Sequence, residues 1–174
     1  MKHDRRQFLA ASAAAFAASS VPVASGQQES ADTQNTICVF TKPFNSLSFD
    51  ELAEKVAESG YNGIEAPIRG GGHVDPENVT DELPKLVEAL AKRNLEITVM
   101  TSDINDASDP ATERVLRTAA TLGIKRYRMK YFRYASDQPI SDQIATWHDQ
   151  LVDLAAMNHD FGITGLYQNH AGVN

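Results

Sequence analysis

The sequence predicts an α/β fold in which parallel strands alternate with helices. Three observations carry that prediction. Capping residues open helical patterns at Ser48, at Thr80 or Asp81, at Asp109 and at Ser141, and Gly60, Asn94, Gly123 and Gly162 close them. A short apolar run follows each stop, as a strand requires. The stops lie 34, 29 and 39 residues apart, the length of one strand-helix unit. Parallel strands joined by right-handed helical crossovers follow from this order. The pattern by itself fits either an open doubly wound sheet or part of an eight-stranded barrel.

Each element has a local reason. Thr36 to Phe40 is apolar and short enough for a first strand, with Cys38 expected in the core. Lys42-Pro43-Phe44 follows it where a dinucleotide fold would place a glycine-rich loop, which counts against that fold. Ser48-Phe49-Asp50-Glu51 is a capping box, and Leu52, Val56 and Ala57 form the apolar face behind it. Asn62 to Ala66 reads as the second strand. Leu83, Leu86, Val87 and Leu90 then make a helical stripe, and Leu95 to Met100 is the third strand. Asp109-Pro110 is an N-cap with proline preset at the first helical position, ahead of Val115, Leu116, Ala119 and Leu122. Ile124 to Tyr131 is the fourth strand. Ile144, Trp147, Leu151 and Leu154 define the longest helix, and Ile163 to Tyr167 the fifth strand.

Composition limits the function. The 174 residues include 42% apolar and 7% aromatic side chains, ordinary values for one globular domain. Residues 1–25 differ: Arg5-Arg6-Gln7-Phe8-Leu9 leads a weakly apolar, Ala/Ser-rich stretch that ends in small residues, which resembles a twin-arginine export signal. Periplasmic or other extracytoplasmic delivery is therefore expected, with no membrane contact beyond the leader. Residues 26–35 read as a polar, disordered tether and residues 36–174 as the domain. Removing the leader takes out Lys2, Arg5, Arg6 and Asp4, so the formal net charge moves from −7 to −9. A body this acidic argues against a nucleic-acid partner, despite the interleaved cations and aromatics of Ile124 to Tyr134. One cysteine excludes an internal disulfide.

Val39-Phe40-Thr41-Lys42, Gly63-Ile64-Glu65, Gly70-Gly71-Gly72-His73-Val74, Tyr127-Arg128-Met129 and Tyr167-Gln168-Asn169-His170 stand in order near the strand ends. Together they resemble the xylose-isomerase-like barrel family of sugar phosphate isomerases and epimerases, in its exported twin-arginine branch. The resemblance implies a partial (β/α)8 TIM barrel, about its first five strands and four helices, with the chemistry at the C-terminal mouth. It also implies a divalent metal (Mn, Mg, Zn or Co) that fixes two sugar oxygens while a carboxylate moves a proton through an enediol.

Many relatives end the fifth strand in Glu-Asn-His, where the Glu is both ligand and base; here Gln168 stands in that place. An amide carbonyl can ligate a metal but takes no proton at neutral pH. The later ligands would lie past Asn174, so the expectation is a truncated chain that holds no functional metal site alone. The implied substrate-binding residues are Glu65, His73, Arg128, Gln168, Asn169, His170 and Lys42, with Gln168 the one candidate metal ligand and Asp103 a further candidate contact. Each has a structural alternative as a loop fastener, cap or solvated surface group. The functions expected are a sugar isomerase or epimerase-like protein, inactive as this chain, or a non-catalytic exported carbohydrate-binding relative or degenerate fragment. The partner expected is a small carbohydrate, with a second copy or a complementing fragment covering the open sheet.

Overall fold

The computed structural model describes residues 36–168. The leader, the tether, and Asn169 and His170 lie outside the described residues. In chain order the elements are β1 (Cys38–Phe40), a 3-10 turn (Lys42–Phe44), α1 (Phe49–Glu58), β2 (Gly63–Ile68) and α2 (Val79–Ala91). There follow β3 (Glu96–Ser102), α3 (Pro110–Thr121), β4 (Arg126–Arg128), α4 (Ile140–Phe161) and β5 (Thr164–Leu166).

All strands run parallel, and their order in the sheet is β1-β2-β3-β4-β5. A doubly wound sheet reverses direction from its first strands, whereas here every strand adds to the same edge, as in a barrel. The Arg128 guanidinium on β4 reaches across β3 and β2 to sit 5.1 Å from the Phe40 ring centroid on β1, so the side chains of one sheet face converge.

The helices form for the reasons the sequence gives. Ser48 accepts from the Glu51 amide while Glu51 accepts from the Ser48 amide, closing the capping box at α1. Asp109 accepts from Ala111 N at 2.8 Å at the start of α3. One face of each helix meets the sheet: Leu52 and Val56 from α1, Leu83, Leu86 and Leu90 from α2, Val115 and Leu116 from α3 are buried against Ile64, Ala66, Ile68 and Met100.

Local expectations need several corrections. Cys38 is half-buried rather than core, because β1 is an edge strand with β2 alone beside it among the described residues. Ala53 rather than Ala57 completes the buried face of α1. Helix α2 starts at Val79, with no side-chain cap from Asn78, because burial of Val79 holds its first turn. Strand β4 pairs over three residues only. The largest departure is α4. Of the expected stripe only Leu154 is buried, while Ile144 is 50% and Leu151 37% exposed. This helix packs mainly on α3 and β5, and its Asn158 accepts from Tyr127 Oη of β4 at 3.1 Å. Phe132 and Tyr134, ahead of it, stack and edge onto Trp147 at 5.0 and 4.7 Å.

A bulge in β3 positions the polar rim. Gly63 pairs with Glu96 and Ile64 with Ile97, but Glu65 pairs with Val99, leaving Thr98 as the extra residue. The shift turns Thr101 onto Glu65's face and Met100 toward the helices, where Met100 is fully buried. Gly63 makes room for it, since a Cβ there would lie 2.5 Å from Thr98 Oγ1 and 2.8 Å from Glu96 O. Gly63→Ala should therefore lower stability by about 1–3 kcal/mol in denaturant unfolding. Gly70→Ala, which meets nothing within 4 Å, should leave the midpoint unchanged.

Candidate functional site

The candidate site lies at the C-terminal ends of the strands, and its organising side chain is Arg128, the last residue of β4. Its Nε lies 2.7 Å from Glu65 Oε1, an ion-pair contact whose N–H direction misses hydrogen-bond alignment. Nη2 donates to Thr101 Oγ1 at 3.0 Å, and Nη1 donates to Gln168 Oε1. Thr101 in turn donates to Glu65 Oε1 at 2.6 Å. The Glu65 and Arg128 side chains are 24% and 19% exposed, so water screens the pair only in part. Glu65 Oε1 is thus doubly engaged, while Oε2 takes no hydrogen bond among the described residues and remains an acceptor at the mouth.

A second set of bonds fixes the loop after β2. Gly72 packs so tightly that a Cβ would lie 2.4 Å from Pro67 O, which lets His73 N reach Pro67 O at 2.9 Å. His73 Nε2 meets Thr41 Oγ1 at 2.9 Å, and Thr41 Oγ1 donates to Glu65 O at 3.1 Å. With the threonine proton committed to that carbonyl, Nε2 carries the imidazole proton and Nδ1 keeps its lone pair. Burial holds His73 below the ordinary imidazole range, against the Thr41 hydrogen bond, which favours the charged form. Lys42 lies in the 3-10 turn beyond β1 and lines a cleft with Asn45, Arg69 and Asp103.

Of the sequence-predicted residues, the structure therefore joins Glu65, Arg128 and Gln168 in one network and sets His73 beside it through Thr41. Lys42 and Asp103 share an adjoining cleft. Asn169 and His170 fall outside the described residues. Sequence reasoning missed Thr41, fully buried, and Thr101, which the bulge turns toward Glu65. It missed Phe40 under the guanidinium as well. Their position at strand ends, beside charged neighbours, was the available signal.

The sequence pattern described as the xylose isomerase-like TIM barrel matches residues 53–174, most of the chain. The chain belongs to the xylose isomerase-like TIM barrel family. No curated protein matches it in sequence. Among solved structures, this family member is similar to the probable 3-DHS dehydratase AsbF of Bacillus anthracis (14% identity, TM-score 0.56), over 76% of this chain and 52% of that one. A xylose isomerase domain containing protein of Salmonella typhimurium matches at 21% identity and TM-score 0.56, over 76% and 48%. The IolI protein with a bound zinc atom matches at 16% identity and TM-score 0.54, over 76% and 51%. At these identities the likeness shows the fold, a parallel sheet of five strands with four helices. The chain spans about half the length of each.

The zinc in IolI prompts the question whether this family member's residues suit a metal. Among the described residues no three His, Cys, Asp or Glu side chains converge. Gln168, the expected ligand, has its Oε1 taken by the Arg128 guanidinium, a cation where a divalent ion would need an anion. The described residues do not fit a metal, and no step is derived through one.

The His73 environment predicts a pH signature. An imidazole whose folded pKa is depressed binds fewer protons than in the unfolded chain, so stability is lost as pH falls below the unfolded value of about 6.5. Between about pH 7 and pH 5, wild-type melting temperature should drop further than that of His73→Gln. Parallel curves for the two proteins would remove the buried-imidazole account.

Proposed function

We propose that this chain binds a small carbohydrate at the strand-end mouth and is a sugar isomerase or epimerase-like protein. The observation that supports this best is the Glu65–Arg128–Thr101–Gln168 network. It presents a fixed carboxylate oxygen and a fixed amide beside a guanidinium, the donor and acceptor mixture that vicinal hydroxyls match. In this reading Glu65 Oε2 accepts a hydroxyl proton, the Gln168 amide NH2 donates, and the neutral His73 Nδ1 accepts at the edge. Arg128 is a positioning residue, held by Glu65 and holding Gln168.

The alternative is a carbohydrate-binding relative that moves no proton. Gln168 favours it specifically: it is uncharged and its carbonyl is already donated to by Arg128. Solvent deuterium entering aldoses or ketoses with added manganese would mark the isomerase. Binding without exchange would mark the alternative. Calorimetric titration with a panel of hexoses and pentoses should give binding that Glu65→Gln weakens about ten-fold, through loss of a charged acceptor. A panel in which no sugar binds would end both readings.

We also propose that the chain is exported through the twin-arginine route, on the strength of Arg5-Arg6-Gln7-Phe8-Leu9. Changing Arg5 and Arg6 together to Lys should retain the protein in the cytoplasmic fraction. Unaltered fractionation would count against it.

A further inference from the structure

A second cluster at the mouth is not used by the Glu65–Arg128 network. Two clefts of about 270 and 230 Å³ adjoin there, sharing Arg69 and Asp103 in their walls. Lys42 lines the first, and Arg128, Lys130 and Arg133 line the second. Five cations thus surround the clefts on a chain whose formal net charge is −7. Asp103 is the one carboxylate lining them, and Glu65 is committed to Arg128.

Exposed lysines and arginines are ordinary where they are scattered and solvated. Here they are gathered from separate loops. Arg69 follows β2 and is half-buried, while Lys130 and Arg133 follow β4. Arg128 has its guanidinium engaged by Glu65, Thr101 and Gln168 and stacked over Phe40. The side chains of Arg69, Lys130 and Arg133 make no hydrogen bond or ion pair among the described residues. In the same segment Phe132 stacks on Trp147 and its backbone N donates to Tyr167 Oη, while Tyr131 lines the second cleft together with Lys130 and Arg133. Like charges brought together without a neutralising partner repel one another, and the repulsion is relieved when an anion enters.

We propose that Arg69, Lys130 and Arg133 form an oxyanion subsite beside the Glu65 rim, so that the ligand is a polyol bearing a carboxylate or phosphate. This rests on the carbohydrate reading above and adds the residues that select charge. The guanidinium forks of Arg69 and Arg133 suit the paired oxygens of either anion, and Lys130 adds an untethered charge. Asp103, repelling the anion, orients the hydroxylated end of the ligand toward the strand ends.

The test uses the full chain and four probes: glucitol, gluconate, glucose 6-phosphate and inorganic phosphate, titrated by calorimetry at low and high salt. Arg69→Gln and Arg133→Gln serve as variants, with circular dichroism and melting as checks of folding. Gluconate or glucose 6-phosphate should bind at least about ten-fold more tightly than glucitol, and each variant should abolish most of that preference. The wild-type preference should also shrink with salt, a readout independent of how the variants fold. Which anion leads identifies carboxylate or phosphate. Equal affinity for glucitol and both anionic sugars overturns the subsite while leaving the carbohydrate reading standing. Inorganic phosphate held as tightly as glucose 6-phosphate, with glucitol unbound, keeps the subsite and removes the sugar. Absence of binding by all four overturns both.

Discussion

The Arg128 guanidinium is the interaction on which the mouth depends. It projects from the end of β4 and meets groups from all four other strands or their ends: Phe40, Glu65, Thr101 and Gln168. The parallel order β1-β2-β3-β4-β5 sets those positions on one face, within reach of one side chain. The contacts in turn hold the strand ends in register. A partly buried guanidinium needs a counter-charge, and Glu65 supplies it. Glu65 in turn needs the bulge in β3, which sets Thr101 rather than Met100 beside it. Strand order, register and charge balance are therefore one linked constraint.

Around that centre the chain separates two jobs. The loop after β4 interleaves aromatics and cations, and packing divides them, with Tyr131 staying beside the cations. Phe132 and Tyr134 contact Trp147 on α4, while Lys130 and Arg133 line the mouth cleft. The mouth is polar and positive in an otherwise acidic chain. Helix α4 is the reverse, with Ile140, Ile144, Leu151 and Val152 exposed, and Ile144 and Leu151 share an apolar cleft with Tyr167. Helices α2 and α3 each pack between two helices, whereas α1 packs chiefly on α2 and α4 chiefly on α3 among the described helices.

The described rim is a set of fixed hydrogen-bonding groups. Glu65 has one oxygen spent and one available, and Gln168 contributes an amide whose carbonyl is already donated to. His73 is held neutral by burial, with Nδ1 as its remaining acceptor. Such a rim orients hydroxyl groups well. An enediol step asks in addition for a carboxylate free to accept a proton from carbon, a role that Gln168 cannot take.

Elements governed by near neighbours were legible in the sequence. The capping box at Ser48, the Asp109-Pro110 start, and the stops at Gly60, Asn94, Gly123 and Gly162 depend on backbone groups a few residues away, and all appear where the residues imply. The alternation of strands and helices and the placement of Arg128 at the end of β4 follow from the same local spacing, whereas β2 runs on to Ile68 and leaves Glu65 in mid-strand rather than at its expected end. Tertiary structure decided the rest, because the deciding partners are distant in sequence. Thr41 joins His73 to Glu65 across 32 and 24 positions. The burial of the α4 stripe depended on what lies beside it, which no helical period records. Which side chains converged on one sheet face was set by the direction in which each strand joined its neighbours, a property of the assembled sheet that no single segment contains.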